Sequence, residues 1–185
     1  DPIQTAKATL AVARAGDGSA LDDLDRGFDP VDELIEGGLT LAKQGKAVGE
    51  TERVDIAEVV AAAWSTVDAA DATLETDDPP VVSADRERLR TLFENLFGNS
   101  IEHAGPAVTV TVGALDADAG FYVADDGPGL GGADTNRLFE YGYSTEADNT
   151  GFGLNIVHDI AEAHGWRIAA TTGTDGGARF EVETR

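Results

Sequence analysis

The stretch Asp125-Asp126-Gly127-Pro128-Gly129 follows directly after a short apolar run, Phe121 to Ala124, that reads as a β-strand. An acidic, glycine-rich stretch at the end of a strand is typical of a tight turn. A carboxylate in that position can also accept a hydrogen bond from the exocyclic amine of a nucleobase. Two other segments of the chain decide between these interpretations.

The first of these segments is a long helix predicted over residues 84–104. Its apolar side chains recur at helical spacing, at Leu89, Leu92, Phe93, Leu96 and Phe97. Asn95 and Asn99 lie one turn apart on one face of this helix. The side-chain oxygen of an asparagine can hold Mg²⁺, a hard cation that prefers oxygen ligands.

The second segment is Gly151-Phe152-Gly153-Leu154, which ends the irregular stretch 127–152 and opens a helix predicted over 153–164. Irregular stretches of that length are usually functional or disordered. Glycines let the backbone approach a phosphate, and a helix N-terminus donates free N–H groups to it. Each segment alone has an ordinary structural explanation, but the three in this order predict a nucleotide site.

The elements around these segments predict an α+β domain. Helices over 55–67, 84–104 and 153–164 alternate with strands near 72–76, 81–83, 107–114, 121–124, 166–172 and 178–184. Because no βαβ unit repeats, the pattern favours α+β over a doubly wound sheet. We therefore predict a two-layer α/β sandwich over residues 47–185.

Residues 1–46 read as part of a helical hairpin. A helical stripe over 1–15 is followed by a second stripe over 21–35, with apolar residues three and four positions apart. Such a narrow seam is typical of a hairpin that pairs with a second copy, so a homodimer is expected. Pro30 predicts a kink in the second helix. The polar residues 45–53 mark a domain boundary.

The composition is strongly acidic. The chain has 35 acidic and 13 basic residues, a formal net charge of -22, and no cysteine. Such a surface repels nucleic acid and anionic lipid, so neither is an expected partner. With few lysines and many acids spread along its length, the chain resembles proteins of salt-loving archaea. No apolar run reaches membrane-spanning length, so a cytoplasmic location is expected. Because it starts at Asp1, the chain is interpreted as a fragment, and a membrane segment could lie upstream.

Taken together, the motifs resemble the nucleotide-binding boxes of histidine protein kinases, in the order found in that family. The matches are the N box at Asn95 and Asn99, the G1 box at 125–129, the F box at Leu138-Phe139-Glu140 with Tyr143-Ser144-Thr145, and the G2 box at 151–154. The resemblance covers residues 47–185. It implies the Bergerat-type ATP-binding fold that gyrase, the large heat-shock chaperone and the mismatch-repair ATPase share.

The resemblance also implies ATP and Mg²⁺ as cofactors and a role for each matching residue. Asn99 would coordinate magnesium, with Asn95 lining the phosphate side. Asp125 would hydrogen-bond the adenine amine, and Gly127 and Gly129 would shape the wall of the adenine pocket. Residues 130–150 would form a lid over the triphosphate. The remaining implied nucleotide contacts are Arg137, Tyr143, Ser144, Thr145, Gly151, Phe152, Gly153 and Leu154.

The three histidines are interpreted in different ways. His103 lies either along the phosphate or ribose edge of the site or on the surface as a structural residue. Many family members carry a basic residue just before it, where this chain has Glu102. Phosphate neutralisation would then fall on magnesium, backbone amides and Arg137. His158 and His164, on the last helix, are interpreted as structural.

Histidine kinases transfer the γ-phosphoryl group to a histidine that shortly precedes an Asn-Pro pair. The matching pair here is Asp1-Pro2, which places the acceptor upstream of residue 1. The fragment would then bind ATP without autophosphorylating, and a response regulator is the expected partner. Two alternatives stay open: an inactive nucleotide-binding scaffold, and an ATPase of the gyrase or mismatch-repair type. Such an ATPase needs a glutamate one turn before Asn99, where the chain has Asn95, with Glu94 about 100° away around the helix.

Overall fold

A computed structural model describes residues 49–69, 71–116, 119–131, 135, 137–139 and 153–184. The predicted hairpin over 1–46 and the boundary between residues 46 and 47 lie outside these residues. None of the helices in the described parts has both the length and the apolar character needed to cross a bilayer.

The described residues form three helices and seven strands. The helices are α1 (Ile56–Trp64), α2 (Arg86–Ala104) and α3 (Gly153–Ala163). The strands are β1 (Glu52–Asp55), β2 (Thr73–Asp77), β3 (Val81–Ala84), β4 (Thr109–Ala114), β5 (Gly120–Asp125), β6 (Arg167–Thr172) and β7 (Ala178–Glu183). These bounds agree with the predicted elements to within a few residues, apart from β1.

Strand β1 begins in the polar segment 45–53, which is predicted to be a domain boundary, and ends at Asp55, where a helix is predicted to begin. It has only four residues, of which Val54 alone is buried, so no alternation is readable in the sequence. It becomes a strand because it pairs antiparallel with β3, with Val54 opposite Val82. The partner strand therefore determines its conformation, and the local sequence does not.

Aspartates begin the first two helices. Asp55 Oδ1 accepts the N–H of Ala57 at 2.9 Å, at the start of α1. Asp85 Oδ1 accepts the N–H groups of Glu87 and Arg88 at 3.1 and 3.3 Å, at the start of α2. A carboxylate at this position satisfies N–H groups that have no partner within the helix and interacts favourably with the helix dipole.

The main sheet has five strands in the order β2-β4-β5-β7-β6. Strands β2 and β4 pair in parallel, whereas β4–β5, β5–β7 and β7–β6 are antiparallel. Alternate residues of the three central strands are buried, namely Val110, Val112, Phe121, Val123, Phe180 and Val182. The sheet therefore has one apolar face, which forms one side of the core.

Helix α2 lies at the centre of the helical layer, where it contacts α1, α3 and β5. Its Phe93 and Phe97 are fully buried, with ring centroids 5.8 Å apart. The Phe93 ring lies 5.3 Å from that of Phe121 on β5, and the Phe97 ring lies 5.1 Å from that of Trp64 on α1. This packing orients α2 so that the face carrying Asn99 is turned towards the end of β5 and the start of α3.

Candidate functional site

The carboxylate of Asp125, the last residue of β5, is held by three hydrogen bonds. Its Oδ1 accepts the N–H of Gly127 and the N–H of Ala178, each at 3.0 Å. Its Oδ2 accepts the hydroxyl of Ser100 at 3.2 Å. Because donors fix both oxygens, the side chain is held as an acceptor at a defined position.

Two glycines allow the backbone to pack closely around Asp125. A Cβ at Gly177, in the turn between β6 and β7, would overlap the carbonyl oxygen of Asp125. A Cβ at Gly129, where φ is 75°, would overlap the carbonyl oxygen of Gly176. The turn at residues 125–129 and the β6–β7 turn therefore pack backbone against backbone. This close approach requires residues without a Cβ at Gly129 and Gly177.

Gly127 has a similar role at a different contact. A Cβ there would overlap the Cβ of Ala104, the last residue of α2. Gly127 and Gly129 therefore let the turn pack closely against α2 and against the β6–β7 turn.

The side-chain oxygens of Asn95 and Asn99 converge at the start of α3. A Cβ built on Gly153 would lie 3.2 Å from Asn99 Oδ1 and 3.5 Å from Asn95 Oδ1. Asn95 Nδ2 donates to the carbonyl oxygen of Thr91 at 2.8 Å. The side-chain oxygen of Asn95 therefore lies on the side of Gly153. Among the described residues, buried Asn99 Nδ2 has no hydrogen-bond partner. Two amide oxygens beside a helix N-terminus suit a hard divalent cation and the phosphates bound to it.

A cavity of about 260 Å³ joins these groups. Five predicted site residues line it, namely Asn99, His103, Asp125, Gly129 and Leu154. Pro128 of the G1 box and Leu130, Gly131 and Leu138 of the predicted lid also line the cavity. Three residues that the sequence reasoning missed complete the lining, namely Ser100, Ala178 and Phe180. A cavity with apolar walls and a few fixed polar groups is typical of small-ligand sites.

The other predicted site residues lie in different places. His103 is exposed and is one of the residues that line the cavity. Arg137 is exposed and is not among the residues that line the cavity. Tyr143, Ser144, Thr145, Gly151 and Phe152 lie outside the described residues, and so does most of the predicted lid.

Asp126, to which the sequence assigned no role, extends the sheet beyond the end of β5. Its Oδ1 accepts the N–H of Thr109 at 2.8 Å, and its own N–H donates to the carbonyl of Thr109 at 3.2 Å. The bond from the Thr109 N–H lowers the pKa of the Asp126 carboxyl from its ordinary value. Asp126 thus anchors the turn to β4 while its neighbour faces the cavity.

His164 has a structural role, as predicted. Its Nε2 accepts the N–H of Asp85 at 3.0 Å, and its Nδ1 lies 2.7 Å from the carbonyl oxygen of Ile160. Its ring stacks on Trp166 with a centroid distance of 4.5 Å. The end of α3 is thereby joined to the start of α2.

Comparison with known proteins identifies the family of the chain. The family of histidine kinase-, DNA gyrase B- and HSP90-like ATPases matches residues 84–185. The chain belongs to this family. The region matched runs from the last residue of β3 to residue 185, so it includes every residue that lines the cavity.

Relatives of this ATPase-family chain include sensor histidine kinases. It is 35% identical over 108 residues to the sensor histidine kinase ZraS of Escherichia coli, an alignment covering 57% of this chain and 24% of ZraS. It is 32% identical over 164 residues to the histidine-protein kinase AfsQ2 of Streptomyces coelicolor, covering 83% of this chain and 30% of AfsQ2. The chain thus spans about a quarter to a third of the length of these relatives.

The chain is also similar in fold to solved histidine kinase structures. The Acinetobacter baumannii histidine kinase AdeS aligns with a TM-score of 0.75 at 22% identity, over 98% of this chain and 93% of that one. The full-length ShkA structure in complex with AMPPNP aligns with a TM-score of 0.67 at 28% identity, over 89% of this chain and 37% of ShkA. The predicted α+β class and the prediction of an ATP-binding domain of the histidine kinase type are confirmed.

Proposed function

We propose that the chain is the catalytic part of a sensor histidine kinase, which transfers the γ-phosphoryl group of ATP to a histidine upstream of residue 1. The observation that carries the proposal is the convergence of Asp125, Asn99 and Gly153 on one small region. Asp125 is a fixed acceptor at one end, and two amide oxygens meet a helix N-terminus at the other. Phosphoryl transfer depends mainly on positioning and charge stabilisation, which such an arrangement supplies.

In this proposal each group has a defined task. Asp125 accepts a hydrogen bond from the adenine amine, which favours ATP over GTP. Asn99, with Asn95 beside it, holds Mg²⁺ through its amide oxygen, and the bound ion supplies charge neutralisation for the phosphates. The N–H groups that begin α3 at Gly153 donate to the phosphate oxygens. His103, which faces the same cavity, contacts the ribose or phosphate edge.

The position of Glu94 argues against the alternative of an ATPase. Glu94 Oε1 accepts from Arg90 Nε at 2.8 Å and from the hydroxyl of Thr66 at 2.9 Å. Thr66 follows α1, and Glu94 does not line the cavity. A water-activating carboxylate would need to face the phosphates, so steady hydrolysis by this domain is not expected.

Nucleotide binding is tested by calorimetry at high salt with and without magnesium. Asp125→Asn, which replaces one acceptor oxygen of the carboxylate by an amide NH2 donor, is expected to abolish measurable ATP binding. Asn99→Ala is expected to remove the magnesium dependence of the affinity. Asp126→Asn is the matched control, because its side chain can still accept from Thr109 and lies outside the cavity lining. Unchanged binding in both site variants would contradict the assignment.

Kinase activity needs a separate test, because an inactive nucleotide-binding scaffold would give the same binding result. A longer chain that includes the proposed upstream histidine is incubated with ATP and Mg²⁺. Acid-labile, alkali-stable labelling, lost when that histidine is replaced by glutamine, is expected. A longer chain that binds ATP but stays unlabelled would favour the scaffold.

The finer context follows from the same proposal. A receiver domain of a response regulator is the expected downstream partner, and residues 1–46 provide the expected homodimer contact. The acidic composition suggests a salt-rich cytoplasm as the working environment. Attachment of the longer protein to a membrane is compatible with each of these features.

A further inference from the structure

Asn155 is a polar residue in an apolar environment. It lies in the first turn of α3 with only 1% of its surface exposed. On the same helix, Val157, Ile160 and Ala161 are buried in the hydrophobic core. Within the described residues, Asn155 Oδ1 has no hydrogen-bond partner. Because a buried unpaired acceptor is unfavourable, fold stability alone does not explain an amide at this position.

The amide makes one short contact, to a segment that precedes it by 16 positions. Asn155 Nδ2 donates to the carbonyl oxygen of Phe139 at 2.7 Å. One turn further along α3, the ring of His158 lies 5.8 Å from the ring of Phe139. Residues 137–139, here called the wall segment, are therefore held against α3 at both the backbone and the side chain of Phe139.

The wall segment contributes directly to the cavity. Leu138 lines it and is 8% exposed. Leu154, the residue before Asn155, lines the same cavity. Asn155 thus joins two parts of the apolar lining, one on α3 and the other on the wall segment. No side-chain atom of Asn155 is needed in the cavity for this effect.

We infer that Asn155 is a positioning residue, which fixes the wall segment so that Leu138 packs against the base of the bound nucleotide. The inference rests on the proposed nucleotide-binding function and adds a determinant of affinity to it. An apolar wall contacts the base and not the phosphates. Loss of the Asn155–Phe139 bond therefore weakens the binding of adenosine and of magnesium-ATP by the same factor.

The test compares Asn155→Leu with wild type in the full chain. Leucine has nearly the shape of asparagine, and it removes both the donor to Phe139 and the unpaired acceptor. Hydrogen exchange without nucleotide is expected to accelerate in a peptide spanning 137–139 and to stay unchanged in β4 and β5. Calorimetry is expected to give about fivefold weaker binding of both ligands, the effect of one lost hydrogen bond. The thermal midpoint is expected to stay the same or to rise.

Val157→Ala is the matched control, since it removes buried methyl groups from the same helix. It is expected to lower the thermal midpoint while leaving both affinities and the exchange of 137–139 unchanged. This separates positioning by Asn155 from a general loss of stability in α3.

Four results would overturn the inference. These are unchanged exchange over 137–139 in Asn155→Leu, unchanged affinities, a loss confined to magnesium-ATP, or an equal loss of affinity in Val157→Ala. A wild-type chain that binds neither adenosine nor ATP would instead overturn the proposed function, together with the role given to Leu138. The exchange measurement uses no nucleotide, so the two failures are distinguishable.

Discussion

Ser100 donates its hydroxyl hydrogen to Asp125 Oδ2 across a distance of 3.2 Å, which joins the C-terminal part of α2 to the end of β5. Ser100 is only 3% exposed, and both residues line the cavity. The carboxylate oxygen that is not held by backbone N–H groups is therefore oriented by one side chain. A buried hydrogen bond to a charged acceptor is stronger than one between neutral groups.

Replacing Ser100 by alanine is expected to weaken ATP binding by about tenfold. A hydrogen bond to a charged group contributes about 1.5 kcal/mol or more, and about 1.4 kcal/mol corresponds to a tenfold change in affinity. Asp125 keeps its two backbone donors, so the variant should fold. Calorimetric titration measures the effect, with Ser83→Ala on the exposed face of β3 as control. Equal affinities for the two variants would mean that the backbone donors alone orient Asp125.

Gly177 is expected to tolerate no side chain. In Gly177→Ala the new Cβ would overlap the carbonyl oxygen of Asp125, so the β6–β7 turn must move away from the cavity. ATP affinity should fall more than tenfold, with a loss of about 1–3 kcal/mol in the free energy of unfolding. Both quantities are measurable on one sample by calorimetry and urea denaturation.

Gly98 provides the matched glycine control. A Cβ there meets no atom within 4 Å, and Gly98 lies inside α2. Gly98→Ala should therefore stabilise the domain by up to about 1 kcal/mol through helix propensity and leave ATP affinity unchanged. A similar loss of affinity in both glycine variants would show that the close approach at Gly177 is not the cause.

Asn99 and Ser100 illustrate which site residues can be predicted from the sequence and which cannot. The helix around them was predictable, because apolar spacing is local information and α2 has five regularly placed apolar residues. Asn99 was predictable because it belongs to a motif. Ser100 acquires its role from Asp125, 25 residues away, and Gly177 acquires its role from the same residue, 52 positions away. Neither the Ser100–Asp125 contact nor the Gly177–Asp125 contact produces a periodic pattern in the sequence.

Strand β1 and the pairing of β2 with β4 illustrate the same limit for the fold. Val54 is the only buried residue of β1. Strands β2 and β4 pair in parallel, with Thr73 opposite Thr109, although β3 and α2 lie between them in the sequence. Short strands are formed by their partners, so their existence and direction depend on long-range packing. The turn 173–177 contains three glycines, which was the one available sign that a close backbone approach occurs there.

The lowered pKa of Asp126 predicts a measurable pH dependence. Its folded-state pKa lies below the unfolded value, so the unfolded chain takes up the proton first as the pH falls. The stabilisation is therefore present above the ordinary carboxyl pKa and is lost below about pH 4. Urea denaturation of wild type and Asp126→Asn should give free energies of unfolding that differ at pH 7 and converge on acidification. A constant difference between the two curves would mean that the charge of Asp126 has no part in its bond to Thr109.

His164 is expected to matter for stability and not for nucleotide binding. His164→Phe keeps an aromatic ring over Trp166 but removes the acceptor for the N–H of Asp85, the residue that caps α2. A part-buried N–H left without a partner should cost about 1–3 kcal/mol. Thermal and urea denaturation measure this loss, while calorimetry should give wild-type ATP affinity. A variant as stable as wild type would mean that water replaces the imidazole at Asp85.

The acidic composition predicts that stability depends on ionic strength. With a formal net charge of -22, the folded chain is destabilised by self-repulsion. The Debye length falls from about 10 Å at 0.1 M salt to about 3 Å at 1 M, so most of the repulsion is screened within that interval. The thermal midpoint should therefore rise steeply up to about 1 M KCl or NaCl and change little beyond it. A rise that continues with equal slope to several molar salt would point to cation binding or salt exclusion as the cause instead of screening.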